Sequence, residues 1–404
     1  MKKIAVVSYG MSDMILPMMK HFSAAATDVE VTLILVYARN FRKEGVVDLG
    51  TGPLRTGFLP DADTARILGP QLEGYIAGSF SVRIFVNHSV RFRSVRNALL
   101  SLSLMQALWK YDLIHINGIN GTFLHLLPLL RLKKWMITVH DLVQHSGEQS
   151  RSGRKLLEAA LNRARQIIIQ NMADCETLRE SAPQWHAKTR FIPFGYLDVY
   201  PAFLPESPAK GVDSDILFFG RISKYKGLEY LMQALERLHA KGLRPSVVLA
   251  GSGDHDFGLE RLRSVGDIQF IHRHLENSEL ADLIARTRMV VCPYTDATQS
   301  GVLMTSFAFG KPVVATSVGG FKDVVIDGWN GLLVPPRQAG PLAAALESLL
   351  IEPGRLEEMA RHIREQNRLD TFAWPRISGA LIHAYRHLME EAPEGAVENA
   401  WPLT

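Results

Sequence analysis

The sequence predicts an α/β protein built from two parallel β-sheets, each covered on both faces by helices. Three observations carry this. Short apolar runs that stop at a glycine or polar turn alternate with helical stretches along the whole chain, the pattern of buried parallel strands joined by crossover helices. The chain has 404 residues, 47% of them hydrophobic, too many for one ordinary core and enough for two domains. Three separated pieces, ILFFGRISKYKG, VVLAGSG and SGVLMTSFAFGKPVVATSVGG, each run an apolar strand or helix into a glycine or cation.

The strands follow in order. The first half offers Ile4–Ser8, Val29–Ala38, Arg83–Val86, Leu113–Ile116, Met136–His140, Ile167–Gln170 and Arg190–Ile192. The second offers Ile216–Phe219, Ser246–Ala250, Ile268–Ile271, Met289–Cys292, Pro312–Thr316 and Leu332–Val334. A Pro- and aromatic-rich stretch, Pro193 to Phe203, separates the halves, so the expected domains are 1–198 and 199–373. Trp374 to Glu391 is amphipathic, with Ile377, Leu381, Ala384, Tyr385 and Leu388 on one face. Residues 392–404 lack periodicity and are expected to be disordered.

Composition narrows the function classes. Apolar runs are broken by charge or proline well before bilayer length, so no membrane-spanning helix is expected. The opening MKKIAVVSYGMSD mimics a signal peptide, but its apolar stretch is short and runs straight into Gly10, which suits a first strand and its turn. Cys175 and Cys292 have no metal-ligand spacing and read as free thiols of a reducing cytoplasm. Residues 1–200 hold 24 basic and 16 acidic side chains, a net +8, while the remainder holds 21 and 25, a net −4. Clusters at Arg91, Arg93, Arg96 and at Arg131, Lys133, Lys134 suit a phosphate-bearing acceptor or peripheral contact with an anionic membrane, and equally suit solvated helix faces. They lack interleaved aromatics, so nucleic acid is not an expected partner. The string Asp61-x-Asp63 follows a proline rather than an apolar strand, which speaks against a metal-binding pair, and no other cluster suggests a metal or cofactor.

Two cations, Arg221 and Lys226, follow Gly220 at the end of the Ile216–Phe219 strand, and Gly227 opens the next helix. A second helix starts at Ser300-Gly301 and closes at Gly310, presenting N-terminal amides to an anion. Cations at strand ends beside such amides suit a diphosphate leaving group.

GRISKYKG, PYTDATQSG, FAFGKPVVAT, VGGFKDVV and DGWNGLLVPP, in this order, resemble the donor half of retaining GT-B glycosyltransferases of family 4. The resemblance implies two Rossmann-like domains with parallel sheets facing a central cleft, the first binding acceptor and the second a nucleotide-sugar donor. It implies that the helix 374–391 returns to the first domain. It implies a metal-independent transfer from a nucleotide diphosphate sugar to a glycan or lipid-linked acceptor, by a cytoplasmic enzyme peripheral to the inner membrane. Arg221 and Lys226 match the family's phosphate-binding cations, and Gly10 its glycine turn near the diphosphate. His140 matches a position beside the sugar and reacting centre. Asp296 is the nearest carboxylate where the family places a Glu on the sugar, with Thr298, Gln299, Ser300, Gly301 and Val302 offering amides. Gly251, Gly253 and His272 fall where backbone groups hold the base. His115, Asn117, Asn120 and Asp141 are read as the acceptor side. The chain departs from the pattern at Thr305, where many members carry a second Glu on the ribose.

Overall fold

The computed structural model describes residues 1–90, 94–140, 142, 151–205, 211–254, 267–297, 299–366 and 372–390. The expected disorder of 392–404 lies outside them. The chain divides into two compact units, Met1–Gly195 with Trp374–Thr404, and Tyr196–Ala373. The first boundary falls inside the Pro- and aromatic-rich stretch.

The first unit begins β1 (Lys2–Ser8), α1 (Ser12–Ala25), β2 (Val29–Ala38), β3 (Lys43–Glu44), β4 (Val47–Asp48), β5 (Gly57–Phe58), α2 (Asp61–Ile76) and β6 (Ser81–Asn87). It continues α3 (Val95–Leu108), β7 (Leu113–Asn117), α4 (Phe123–Leu130), β8 (Trp135–Val139), α5 (Arg151–Arg163), β9 (Gln166–Ile169), α6 (Met172–Ser181), α7 (Pro183–His186) and β10 (Thr189–Phe191). Its main sheet runs β10-β9-β8-β7-β1-β2-β6-β5, parallel except where β5 meets β6. The apolar strands that the sequence predicted are present, with ends shifted by one or two residues. The pieces β3, β4 and β5 are additions of two residues each, too short to carry a period in the sequence. Asp61 and Asp63 open α2, and Asp63 pairs with Arg66 at 3.3 Å, an ordinary exposed helix pair.

The second unit holds β11 (Ser214–Phe219), α8 (Leu228–Ala240), β12 (Val247–Ala250), β13 (Ile268–Ile271), α9 (Asn277–Ala285), β14 (Thr287–Cys292), α10 (Gly301–Ala308), β15 (Val313–Thr316), α11 (Phe321–Val324), β16 (Gly331–Val334), α12 (Ala339–Ile351) and α13 (Pro353–Gln366). Its sheet runs β13-β12-β11-β14-β15-β16, parallel throughout. Strand order reverses at β11, which lies between β12 and β14. Such a switch point leaves a crevice at the strands' carboxyl ends because the flanking helices depart to opposite faces.

A final helix, α14 (Trp374–Met389), belongs to the first unit and packs on α1. Its apolar stripe buries Trp374, Ile377, Leu381, Ala384 and Tyr385. Tyr385 sits edge-on to Phe22, and its hydroxyl lies 2.6 Å from His115 Nδ1. His115 Nε2 lies 2.7 Å from Thr138 Oγ1, so both ring nitrogens are engaged in a fully buried site. Burial, helped by nearby His140, pulls the His115 pKa down to about 3, and the ring stays neutral.

Tyr385→Phe leaves that nitrogen without its partner. We expect the full chain to lose about 1–3 kcal/mol of stability in urea unfolding. Unchanged stability would show that the imidazole finds another bond. Acid should destabilise the wild type through the same ring: the unfolded chain binds a proton near pH 6.5, the folded one near 3, so this contribution is lost as pH falls between them.

Candidate active site

The carboxyl edge of the second sheet gathers most of the residues singled out for a donor. β11 ends at Gly220 and Arg221, and a single turn, Lys224–Lys226, leads to Gly227. Gly227 takes a left-handed φ of 67°, and a Cβ there would collide with the Pro293 carbonyl. The backbone after β11 is therefore pressed against the backbone after β14. Thr295 N donates to Tyr225 O at 2.8 Å and closes the same seam. β12 ends in the same way: a Cβ on Gly251 would collide with the Gly220 carbonyl, while Ile222 N donates to Ser252 O at 2.7 Å. Glycine at these two positions is what lets three strand ends converge.

Lys226 lies in this seam and is only 8% exposed. Its Nζ donates to the Tyr294 hydroxyl and sits 4.0 Å from the centroid of the same ring, with Tyr225 at 5.6 Å. Burial, with Arg221 nearby, lowers its pKa to about 8, so the ammonium remains the main form at neutral pH. The rings and the hydroxyl replace part of the lost water shell. Burial pushes the neighbouring Cys292 thiol up to about 12, which keeps it a neutral wall rather than a nucleophile.

Across the crevice, Ser300 caps α10, its Oγ accepting from Leu303 N at 3.4 Å. Ser300 is buried, Gln299 and Val302 are half-buried, and Gly301 and Asp296 are exposed. Val302 Cγ2 stands 3.4 Å from the position a Cβ on Gly220 would take, which places the start of α10 beside the Gly220–Arg221 turn. His272 Nε2 bonds Gly253 O at 2.7 Å and its ring stacks on Phe270, so it braces the turn after β12. Thr305 is buried, and its hydroxyl donates to Gly301 O at 2.8 Å. That bond uses the hydroxyl proton inside α10. Thr298 lies outside the described residues.

At the corresponding edge of the first sheet the predicted residues part company. His115 is a core residue rather than an acceptor-facing one: it lies in the middle of β7, not at its end, and the pleat turns its side chain toward α14. Asn117 is buried, donating to Ser8 Oγ at 2.8 Å and tying β7 to β1. Asn120 Oδ1 accepts from Thr122 N at 2.9 Å and Thr122 Oγ1 at 2.6 Å, organising the turn before α4. His140 is half-buried just past β8 and packs near Gly118. Asp141 lies outside the described residues.

The turn at Gly10 holds a residue the sequence reading missed. Glu44, from the β3–β4 hairpin, accepts from Met11 N and, at 3.1 Å, from Ser12 N. The Ser12 hydroxyl donates back to Glu44 O at 2.6 Å. The start of α1 thus receives a carboxylate from within the chain, and Met11 is held at a left-handed φ of 59°. Burial and nearby Asp13 push the Glu44 pKa up to about 7. No sequence signal marks this contact, because its partners are 32 and 33 residues apart. Tyr294 was missed for another reason: an aromatic after an apolar strand reads as core. Among the described residues, no three His, Cys, Asp or Glu side chains converge to hold a metal.

Two outcomes follow from these contacts. Tyr294→Phe keeps the ring but removes the acceptor that favours charged Lys226, so the Lys226 pKa should fall below about 8. Competitive labelling of Lys226 with acetic anhydride across pH, read by peptide mass spectrometry, would show the shift; an unaltered titration would remove the hydroxyl from the account. Glu44 has a folded pKa raised above its ordinary 4.5, so its ionisation destabilises the fold as pH rises from about 4.5 through 7. Glu44→Gln should flatten that part of the stability profile, and a variant profile parallel to wild type would contradict it.

Residues 213–352 match the family described as Glycosyl transferases group 1. Over 313 residues the chain is 29% identical to a D-inositol 3-phosphate glycosyltransferase of Arthrobacter sp. (strain FB24), covering 70% of this chain and 72% of the relative. Sucrose-phosphate synthase from Thermosynechococcus elongatus superposes with a TM-score of 0.66 at 21% identity, covering 97% of this chain and 100% of that one. Anabaena HepE in complex with UDP and glucose superposes with a TM-score of 0.64 at 17% identity, covering 96% and 100%. Together with the two parallel sheets, these likenesses show the two-domain, Rossmann-like GT-B fold.

Proposed function

We propose that the protein is a retaining glycosyltransferase of family 4 type. It moves a sugar from a UDP- or GDP-linked donor to a glycan or lipid-linked acceptor in polysaccharide or glycolipid synthesis. The observation that carries this reading is Lys226, a buried cation held beside Arg221 and near the start of α10, at the switch point of the second sheet. A buried ammonium is costly unless an anion uses it, and a diphosphate is the anion suited to two cations and a helix N-terminus. The family match over 213–352 and the UDP in the HepE structure support a nucleotide-sugar donor.

In the proposed reaction the bond from the anomeric carbon to the β-phosphate oxygen breaks as the acceptor oxygen bonds the same carbon from the same face. The acceptor proton passes to the departing phosphate oxygen. Arg221, Lys226 and the amides from Gly301 hold the developing negative charge, and Asp296 accepts from sugar hydroxyls. These cations do the work of a divalent ion, so none is required. The acceptor is taken by the first unit, whose sheet edge carries His140 and Asn120.

Arg221→Ala or Lys226→Ala should each lower turnover by roughly two to three orders of magnitude, the scale for one preorganised electrostatic group. The assay is nucleotide release from a panel of UDP-, GDP- and ADP-sugars with and without lipid extract. Near wild-type rates in both variants would overturn the assignment, and rates abolished by chelator and restored by magnesium would overturn metal independence. Thr305 favours one second reading, a nucleotide-sugar-binding subunit without turnover, because its hydroxyl proton is spent inside α10 where a carboxylate would otherwise meet the ribose. Calorimetric binding of UDP with no release from any donor would select it.

A further inference from the structure

β8 and β9 pair in parallel, and their last residues in register are Val139 and Ile169. One step further along both strands, His140 and Gln170 stand side by side at the carboxyl edge of the first sheet, on backbones about 4.8 Å apart. Their side chains leave the same face. Thr138 reaches His115, which bonds Tyr385 of α14, so the even-numbered residues of β8 face α14. The Gln166 amide nitrogen lies 3.2 Å from Ala384 O of the same helix, which sets the even-numbered residues of β9 to that face as well. Val139 and Ile169 lie in the core on the other side.

Gln170 is 4% exposed, and among the described residues its Oε1 has no hydrogen-bond partner. An unpaired amide oxygen in the interior is costly, and an apolar side chain of the same length would avoid that cost. The residues next to it are engaged. Asn171 caps α6 by accepting from Asp174 N at 2.7 Å, and Asp174 Oδ2 accepts from Asn171 Nδ2 at 2.8 Å and from Leu142 N at 2.9 Å. The segments that follow β8 and β9 are thereby tied together, which holds His140 and Gln170 in register. Ring orientation supplies the remaining piece. A Cβ on Gly118, just past β7, would lie 3.5 Å from His140 Cδ2 and 3.8 Å from its Nε2. β8 runs between β7 and β9, so with that edge of the ring toward β7, Nδ1 is on the side of β9 and Gln170.

We propose that Gln170 is a positioning residue for His140: its Oε1 takes the hydrogen bond from Nδ1–H and so leaves Nε2 as the acceptor of the ring. Neutral imidazole has two tautomers, and a partner on one nitrogen selects between them. Free histidine favours Nε2–H, so an amide oxygen at Nδ1 enforces the opposite form. A bare Nε2 can accept from a substrate hydroxyl, which the other tautomer cannot do. This last step rests on the transferase reading, in which His140 meets a substrate; the tautomer itself does not.

The test is nitrogen-15 spectroscopy of the histidine-labelled full chain at about pH 8, above the ordinary imidazole pKa. Loss of one of the 14 histidine signals in His140→Gln assigns the ring. We expect Nδ1 protonated and Nε2 bare in the wild type, a shift toward Nε2–H in Gln170→Met, and the wild-type state kept in Gln170→Glu, whose carboxylate accepts the same bond. Met matches Gln in length and removes a buried polar atom, so melting of that variant should not fall. Nε2–H or a doubly protonated ring in the wild type would overturn the proposal, as would a tautomer that Gln170→Met leaves unchanged. Kinetics give a second readout. With a donor that releases nucleotide, Gln170→Met should lower kcat roughly ten-fold at nearly constant donor KM, the scale of one lost hydrogen bond, and Gln170→Glu should recover it. An unaltered kcat in Gln170→Met would also overturn the proposal. A donor panel without turnover in the wild type counts against the transferase reading alone, and the spectra then decide the role of Gln170.

Discussion

Keeping one ammonium charged in a nearly dry crevice is the constraint on which the second unit's site depends. An unpaired buried lysine loses its proton readily, and here burial does lower the pKa, yet only to about 8. The groups packed around Nζ are neutral. The Tyr294 hydroxyl accepts from Nζ, the ring face lies 4.0 Å away, and a second ring stands behind. None of these carries a formal negative charge, so they support the cation without neutralising its field. A carboxylate in the same place would have stabilised the ammonium better and used it up. Aromatic support leaves the charge available to a ligand.

That arrangement requires backbone to touch backbone. Lys226 reaches Tyr294 because Gly227 lets the turn after β11 press on Pro293, and the Thr295–Tyr225 bond fixes the register of the two segments. The Gly251–Gly220 approach does the same for β12. A side chain at either glycine would separate the strand ends and open the crevice to water. The cost of the buried charge is therefore met by sheet topology, since the order reversal at β11 is what brings these ends together.

The sheet strands were legible in the sequence because they are buried on both faces and read as continuous apolar runs whose ends are marked by glycine or charge. The pieces β3, β4 and β5 were not, since two residues show no period. Side-chain direction was the harder problem. His115 and Asn117 lie on the strand that leads to the expected acceptor edge, but both side chains are buried, and only the tertiary partners Tyr385, Thr138 and Ser8 reveal it. Gly220, Arg221 and Lys226 were legible because glycine and cation follow one another closely after an apolar strand, and Ser300–Val302 because a glycine opens a helix there; β11 beside β14 brings the two pieces together. Tyr294 and Glu44 escaped notice because their significance lies in a contact with a distant segment.

The two units treat the same feature, amides at the carboxyl end of a parallel strand, in opposite ways, and the net charge of each half does not foretell which. The first half is net +8, yet its Gly10 turn is filled by the chain's own carboxylate, Glu44. The second half is net −4, yet its switch point holds a buried lysine beside an arginine. Charges summed over a half act through water and are screened within about 10 Å at ordinary salt, whereas a desolvated ammonium acts at full strength on whatever enters beside it. An anion in solution thus meets a basic first unit from afar, but the binding strength near a sheet edge is set by which amides are already taken. In the first unit the amides of Met11 and Ser12 are taken; in the second, the Tyr294 hydroxyl and two aromatic rings stand beside Lys226 Nζ.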